Sequence, residues 1–129
     1  MIYNLVNYLA TQLTSLIFIA DSWSVDSAKE SILIKQTGGE PKHWYDRTDW
    51  TVQILSRAAS SVDAKKNIEL VYAKLKNRFG LTLPQVTVNG EVFSAVIAYQ
   101  ISPMQAPSSI GADDINLEMW SFNVTITTT

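Results

Sequence analysis

The stretch from Ser60 to Gly80 reads SSVDAKKNIELVYAKLKNRFG and decides how the rest of the chain can be arranged. Its apolar residues recur at the spacing of one helical face, namely Ile68, Val71, Tyr72, Leu75 and Phe79. This pattern predicts an amphipathic helix from Val62 to Phe79, about 27 Å long at 1.5 Å per residue. A serine can cap its first turn, and Gly80 is expected as the left-handed residue that ends it.

The N-terminal part of the chain predicts a first helix and a short strand. Helical spacing of apolar residues extends from Met1 to about Ser15, with Asn4 and Asn7 expected on the polar face. The segment from Leu16 to Ala20 is short and apolar enough to form a strand. The second helix and this first one would then pack on whatever sheet the chain builds.

Two strands are predicted before the organising helix. The first covers Ser31–Thr37 and is expected to end at Gly38-Gly39-Glu40-Pro41, because Gly and Pro interrupt regular structure. The second, Asp49–Ala58, alternates apolar and polar residues, with Trp50, Val52 and Ile54 on one face and Arg57 on the other. Such alternation is typical of a strand with one buried face.

The C-terminal part predicts a hairpin, a long loop and a final strand. Asn89-Gly90 is a strong signal for a two-residue turn and would join Gln85–Val88 to Glu91–Ile101. The second of these strands is apolar on both faces, so it is expected to be central or covered by a neighbouring subunit. A loop follows over Ser102–Asp114, and the strand Glu118–Thr128 alternates regularly.

Together these elements predict a single α+β domain over residues 1–129. Strands joined by a hairpin and by short connections favour a mostly antiparallel sheet, with two helices packed on it. A chain of 129 residues has the size of one domain with one core.

Composition excludes several classes of function. The chain has no cysteine, which excludes a disulfide framework, thiol catalysis and thiolate metal sites. The N-terminus lacks the basic region of a targeting signal, and no apolar run is long enough to span a membrane, so we expect a soluble protein without a membrane partner. The net charge of −2 gives no general electrostatic case for binding nucleic acid.

The charges are unevenly distributed along the chain. Five of the ten basic residues fall between Lys65 and Arg78, and no Lys or Arg follows Arg78. The acids after that point are Glu91, Asp113, Asp114 and Glu118. The basic residues are expected to form the solvated side of the helix, although an outward-facing helix that binds DNA remains the alternative.

No group of residues predicts catalysis, a metal site or a cofactor. His43 is the only histidine, and one histidine in an aromatic loop lacks the converging ligands that a metal needs. Gly38-Gly39 is followed by proline and not by a helix, so it predicts a turn and not a phosphate cradle. We therefore expect a protein that is not an enzyme.

Two segments favour interaction with other proteins. One is the aromatic loop formed by His43, Trp44 and Tyr45. The other is the uncharged loop that contains Pro103, Met104, Pro107 and Ile110. Aromatic residues and methionine are enriched at interfaces, but both segments could also fold back onto the sheet.

The order of motifs resembles the small proteins of long-tailed phages that are described as minor capsid or tail terminator proteins. The segments that carry the resemblance are Leu16-Ile17-Phe18-Ile19, Gly38-Gly39-Glu40-Pro41, Val52-Gln53-Ile54-Leu55-Ser56-Arg57-Ala58, and the helix that ends in Leu75. The resemblance covers about Ile2 to Leu83. It implies a structural protein of α+β fold without catalytic residues.

The resemblance also implies a function in virion assembly. Such a protein forms a homo-oligomeric ring, expected here to be hexameric, at the head-proximal end of the tail tube. The ring stops tube growth and docks the head, so its partners would be the tail tube protein and a head completion or connector protein. Its location would be the head–tail junction of a virion assembled in the host cytoplasm. A head–tail connector or a tail tube subunit is the alternative within this class, and a DNA-binding accessory protein is the alternative outside it.

Passage of DNA through such a ring sets a condition on charge. A lumen lined with Lys and Arg would retain DNA, because each neutralised phosphate adds affinity. The part of the chain after Arg78 has no basic residue, so we expect Asp113, Asp114 and Glu118 to face the lumen, through which DNA passes without specific binding.

Overall fold

The computed structural model describes residues 1–24, 27–41 and 46–129. In chain order the elements are α1 (Ile2–Gln12), β1 (Phe18–Ala20), β2 (Ser31–Pro41), β3 (Thr48–Ala58), α2 (Ser61–Leu75), β4 (Arg78–Leu83), β5 (Val86–Val88), β6 (Glu91–Phe93), β7 (Val96–Pro103), β8 (Ser108–Ala112) and β9 (Glu118–Thr128).

One curled sheet contains seven of these strands. Its order is β1-β2-β3-β9-β7-β4, and β8 pairs with β9 beside β7. The pairing of β1 with β2 is parallel, whereas the other pairings in the sheet are antiparallel. β5 and β6 form a separate two-stranded hairpin. The predicted α+β class with a mostly antiparallel sheet is confirmed.

The last strand, β9, occupies the middle of the sheet. Its whole length pairs with β3, from Glu118 opposite Ala58 to Thr128 opposite Thr48. Its other edge is shared, because β8 pairs with Glu118–Ser121 and β7 pairs with Val124–Thr127. The two partners of this edge are joined by residues 104–107, which bulge out of the sheet.

Both helices pack on the same face of the sheet. Residues that alternate along the strands, such as Ile34, Ile54, Phe122 and Ile126, form one apolar cluster with the helices. The helices contribute the buried residues Ile2, Leu5, Tyr8, Leu9, Ile68, Val71 and Leu75. The two helices therefore cover one face of the sheet.

The organising helix is shorter than predicted. Ser60 Oγ caps its start by accepting a hydrogen bond from the Asp63 amide at 3.2 Å. The helix ends at Leu75, however, and the left-handed residue that follows is Asn77, with φ 52°. Phe79 and Gly80 belong instead to β4, because pairing with β7 replaces a last turn of helix, and 70% of the Phe79 surface is exposed.

The strand β2 is longer than predicted and passes through the glycine pair. It continues to Pro41 opposite Thr48, with an irregularity in register between Gln36 and Gly38. At Gly39 a Cβ atom would lie 2.6 Å from a ring atom of Trp50. The glycines therefore do not end the strand, and Gly39 leaves the space that the ring of Trp50 occupies.

The hairpin turn is confirmed, but the long strand after it is not. Asn89 and Gly90 both have positive φ, at 52° and 81°, as a tight two-residue turn requires. β6 ends at Phe93, and β7 starts at Val96 in the main sheet. The predicted two-faced strand is therefore two strands in different sheets.

A buried asparagine on α1 explains that break. Asn4 has no exposed surface, and its amide nitrogen lies 3.0, 3.2 and 3.0 Å from the carbonyl oxygens of Pro84, Phe93 and Ser94. These contacts hold the ends of the hairpin against the helix. The prediction that Asn4 lies on the polar face of the helix was wrong, because its buried amide donates to backbone carbonyls at the two ends of the hairpin.

Candidate assembly surfaces

The face of the sheet opposite the helices, here called the open face, is polar in its middle and at one end. Its residues alternate with the core residues on β3 and β9, and they include Thr51, Gln53, Asn123, Thr125 and Thr127. All five are partly exposed and uncharged. Hydrogen-bonding groups therefore predominate in the middle of this face, and charges lie toward its margins, where Lys35 is opposite Gln53 and Thr127 Oγ1 donates to Asp49 at 2.6 Å.

The other end of the open face carries a buried arginine. Arg57 is only 6% exposed, and its guanidinium lies between three groups. Its guanidinium carbon is 4.3 Å from the ring centre of Trp23, Nη2 donates to the Ala28 carbonyl at 3.1 Å, and Nη1 lies 3.8 Å from the Asp113 carboxylate. Arg57 was expected on the polar side of β3, and long-range partners bury it there instead.

The Asp113 side chain holds the backbone of the turn that follows it, in addition to carrying a negative charge. Its Oδ1 accepts hydrogen bonds from the Ile115 and Leu117 amides, at 3.0 and 2.8 Å. The same carboxylate pairs with Arg57 through Oδ2. The Asp113 charge is therefore partly compensated, whereas the neighbouring Asp114 is exposed.

The structure does not bring the three predicted lumen acids together. Asp113 contacts Arg57 on the open face, and Asp114 follows it. Glu118 pairs with Ala58 and shares the face of Trp120, whose indole nitrogen donates to Ser61 of α2 at 2.9 Å. Glu118 therefore belongs to the helix side of the sheet.

A cavity of about 550 Å³ borders the arginine. Its lining includes Trp23, Lys29, Arg57, Asp114 and Ile115. Arg57 Nε is buried there without a hydrogen-bond partner. Charges of both signs line the cavity, so the site does not select an ion of one sign. Within the described ranges, no group of three or more His, Asp or Glu is placed to hold a metal ion.

Four of the predicted interaction residues, Pro103, Met104, Pro107 and Ile110, lie in one segment along β9. Met104 is 61% exposed and Ile110 is 47% exposed; Pro103 ends β7, and Pro107 is the last residue of the bulge before β8. The bulge is anchored to the sheet, because the Met104 amide donates to the Asn123 carbonyl at 2.8 Å. The part of the predicted Ser102–Asp114 loop from Ser108 to Ala112 is a strand, because its backbone pairs with β9. His43, Trp44 and Tyr45 lie outside the described residues.

The sequence did not predict which strands lie at the edges of the sheet, because edge position depends on how the strands pair. In the described part of the chain, β8 pairs with β9 on one side only, and β4 pairs with β7 on one side only. On the opposite side of the sheet, β1 is the outermost strand of the described residues and pairs with Ile32–Ile34 of β2. Unpaired edges are templates for strands of other chains.

The basic residues of α2 lie outside the core, at the surface of the helix. Val71 and Leu75 are buried in the core, whereas Lys65 and Lys66 are exposed. Lys65 Nζ lies 3.9 Å from Glu69 and 5.5 Å from the Trp120 ring centre. A solvated helix back is the arrangement that the sequence predicted for these lysines.

Comparison with known proteins identifies the family. No curated protein matches the sequence. No helix in the described ranges has the length and apolar character needed to cross a membrane. The sequence model of the bacteriophage tail terminator protein family matches residues 24–129, which is the entire chain after α1 and β1. The chain therefore belongs to the bacteriophage tail terminator family and is a structural protein of the phage tail.

Proposed function

We propose that this single-domain chain forms a closed ring, hexameric as the sequence resemblance implies, at the head-proximal end of the tail tube. The ring stops growth of the tube and docks the head. It acts by assembly and not by catalysis. The observation that carries the proposal is a sheet with one face left free by the helices and, among the described residues, with β1 as the outermost strand on one side and β4 and β8 on the other.

The two sides of the sheet support head-to-tail contact between copies. β8 and β4 lie on one side, and β1 lies on the other. A contact between two different surfaces of the same chain repeats until it closes a ring, or else gives a filament. A tail terminator must limit growth, so closure is the outcome that fits the family.

The open face is the best candidate for the lumen. Its uncharged residues Thr51, Gln53, Asn123 and Thr125 would not retain phosphate groups. Asp113 and Asp114 lie at the end of this face, and the exposed lysines of α2 would then lie on the outside of the ring. A lumen position for Glu118 remains a prediction, and its place on the helix side favours the rim.

The exposed segment with Met104 and Ile110 and the aromatic residues His43, Trp44 and Tyr45 are proposed as contact surfaces. Their partners would be the tail tube protein, a head completion or connector protein, or the neighbouring subunit. Assembly would take place in the host cytoplasm and leave the protein at the head–tail junction. A head–tail connector or tube subunit would use the same surfaces at another position of the virion.

Two measurements test the proposal. Native mass spectrometry of the purified protein should give one closed oligomer of defined stoichiometry. Addition of that oligomer to polymerising tail tube protein should cap the tubes and shorten their length in electron micrographs, in proportion to the amount added. A protein that stays monomeric with and without the tube protein, or tubes that continue to grow, would contradict it. Salt-dependent binding of duplex DNA would favour the DNA-binding alternative.

A further inference from the structure

We propose that neighbouring copies join through a side-chain contact, in which Ile110 on β8 of one copy inserts into a cavity beside β1 of the next copy. The occupant of the cavity is therefore a second copy of this chain. This inference rests on the ring of the proposed function and specifies its subunit contact.

The cavity lies where β1 and β2 begin and has a volume of about 200 Å³. Its apolar lining includes Leu16, Ile17 and Ile32, and its polar lining includes Glu30 and Asn67 of α2. Ile32 is buried, whereas Ile17 is 52% exposed. A dry apolar cavity of about 150 Å³ is large enough to bind benzene, so this one has room for the four carbons of an isoleucine side chain.

Ile110 is the extra residue of a β-bulge. The register of β8 against β9 passes from Ser109 opposite Trp120 to Gly111 opposite Met119, and Ile110 lies between these two pairs. Bulges of this kind interrupt the ladder and redirect a side chain. Ile110 is 47% exposed, and Gly111 has a φ of 90°, so this edge is suited to a side-chain contact and not to the addition of a further strand.

The cavity and Ile110 lie at the two ends of one row of residues across the sheet. The row runs from Ile32 on β2 through Ser56 on β3 and Trp120 on β9 to Ser109 on β8. At its first end, the Ile32 amide donates to the Ile17 carbonyl at 2.8 Å. A ring axis near the strand direction keeps this row at the same height in every copy. Ile110 of one copy then meets the cavity of the next.

Opposite charges flank the two surfaces. Lys65 Nζ lies 5.5 Å from the ring centre of Trp120, which is opposite the residue before Ile110. Glu30 is exposed and lines the cavity. The contact would therefore bring Lys65 of one copy near Glu30 of the next. Complementary charges of this kind fix the register of an interface and disfavour wrong partners.

Two other apolar residues on this side of the sheet, Met104 and Phe79, are more exposed than Ile110 but lie at other heights. The Met104 amide donates to the Asn123 carbonyl, about 10 Å along β9 from the row of the cavity. Phe79 is opposite Gln100, which pairs with the far end of β9. Of the three residues, Ile110 matches the height of the cavity.

Crosslinking tests the contact, and the absence of native cysteine makes it selective. The double variant Ile17→Cys and Ile110→Cys should give a ladder of covalent oligomers on a non-reducing gel, with a short bismaleimide reagent used beside air oxidation. Both positions are about half exposed, so the variant should fold. The two single variants, expressed together, should give dimers and no ladder, because each copy then carries one cysteine of the pair.

The matched control is Ile17→Cys with Met104→Cys, which should give no ladder. A ladder from that control as strong as from the Ile110 pair would overturn the proposal. Dimers from Ile110→Cys expressed alone would mean that β8 contacts β8 of a second copy, which would also overturn it.

Truncation and charge exchange provide an independent test. Ile110→Ala should raise the dissociation constant of the oligomer by roughly 10- to 30-fold, because it removes buried carbon atoms from the contact, whereas Met104→Ala should leave it unchanged. Glu30→Lys and Lys65→Glu should each raise it by up to about fivefold, and the double variant should restore it. Lys66→Glu on the back of α2 is the control for charge and should change nothing.

The outcomes separate this contact from the ring itself. If the wild-type protein does not associate at all, the proposed ring fails. If it associates but ignores Ile110→Ala and both charge changes and gives no ladder, only this contact fails.

Discussion

Arg57 and Asp113, 56 positions apart in the sequence, lie 3.8 Å from each other on the open face of the sheet. The guanidinium is buried, and the carboxylate also holds the turn that leads into β9. This residue pair therefore connects the C-terminal end of β3, the segment after β8 and the loop that carries Trp23.

Loss of the Asp113 side chain should destabilise the protein strongly. Asp113→Ala removes two amide hydrogen bonds and leaves the buried charge of Arg57 uncompensated, so we expect a loss of about 2–3 kcal/mol in the free energy of unfolding. Asp113→Asn should lose less, because the amide oxygen can still accept from the turn. Urea denaturation measures both, and Asp114→Ala, an exposed neighbour, should stay within about 0.5 kcal/mol of wild type.

The glycine pair in β2 offers a test at two adjacent positions. Gly39→Ala should cost about 1–3 kcal/mol, because the new Cβ would meet the ring of Trp50 and displace the bond from its indole nitrogen to Thr128 Oγ1. Gly38→Ala should be nearly neutral, since its Cβ meets no neighbour. Thermal unfolding of the two variants should separate them by several degrees, and equal melting temperatures would argue against the packing described.

Asn4 should be a structural residue of the hairpin and not a surface residue. Asn4→Ala removes the two donor hydrogens that three carbonyl groups share, and we expect a loss of about 2 kcal/mol with faster amide exchange in β5 and β6. Asn7→Ala on the same helix is the control, because Asn7 is only half-buried. An Asn4 variant as stable as the Asn7 variant would contradict the role assigned to these hydrogen bonds.

The bulge from Met104 to Pro107 should be dispensable for folding and required for docking. Replacing its four residues with two glycines should shift the melting temperature little, because closure entropy changes slowly with loop length. The same variant should bind a partner of the tail or head less well, as measured by capping of tail tubes. Failure of the shortened protein to fold would show that the bulge contributes to packing and not to an interface.

A positive charge on the open face should make the ring retain DNA. Thr125→Lys with Asn123→Lys places two ammonium groups on the proposed lumen, so duplex DNA should bind with an affinity that falls steeply as salt rises. Ala73→Lys on the exposed back of α2, combined with Val62→Lys, adds the same charge outside and serves as the control. If both double variants retained DNA equally, the proposal that the open face lines the lumen would be wrong.

Local patterns predicted most elements, and tertiary pairing determined the rest. The periodicities of α1, β3 and β9 and the Asn89-Gly90 turn were sufficient, because each depends on neighbouring residues. The end of α2 was predicted four residues too late, since the helical spacing continues to Phe79 while pairing with β7 draws that residue into β4. The position of β8 at the edge of the sheet could not be predicted, because four of its five residues are small and the segment has no periodic pattern.

The candidate site shows the same limit. Exposure of Met104 and Ile110 was one of two arrangements that the sequence left open, since the same residues could also have folded back onto the sheet. Burial of Arg57 did not follow from the alternation of β3, because Trp23 and Asp113 cover it from distant parts of the sequence. The separation of Glu118 from Asp113 required the register of β9 against β3.

The central position of β9 has a consequence for synthesis in the infected cell. Every strand that contacts it, β3, β7 and β8, leaves the ribosome earlier and must wait for it. Until residues 118–128 emerge, the sheet consists of three separate parts, β1-β2-β3, β4-β7 and β8, so stable folding waits for the synthesis of β9. A prematurely terminated chain that lacks β9 would have no continuous sheet. It could therefore not add a misfolded subunit to a growing assembly.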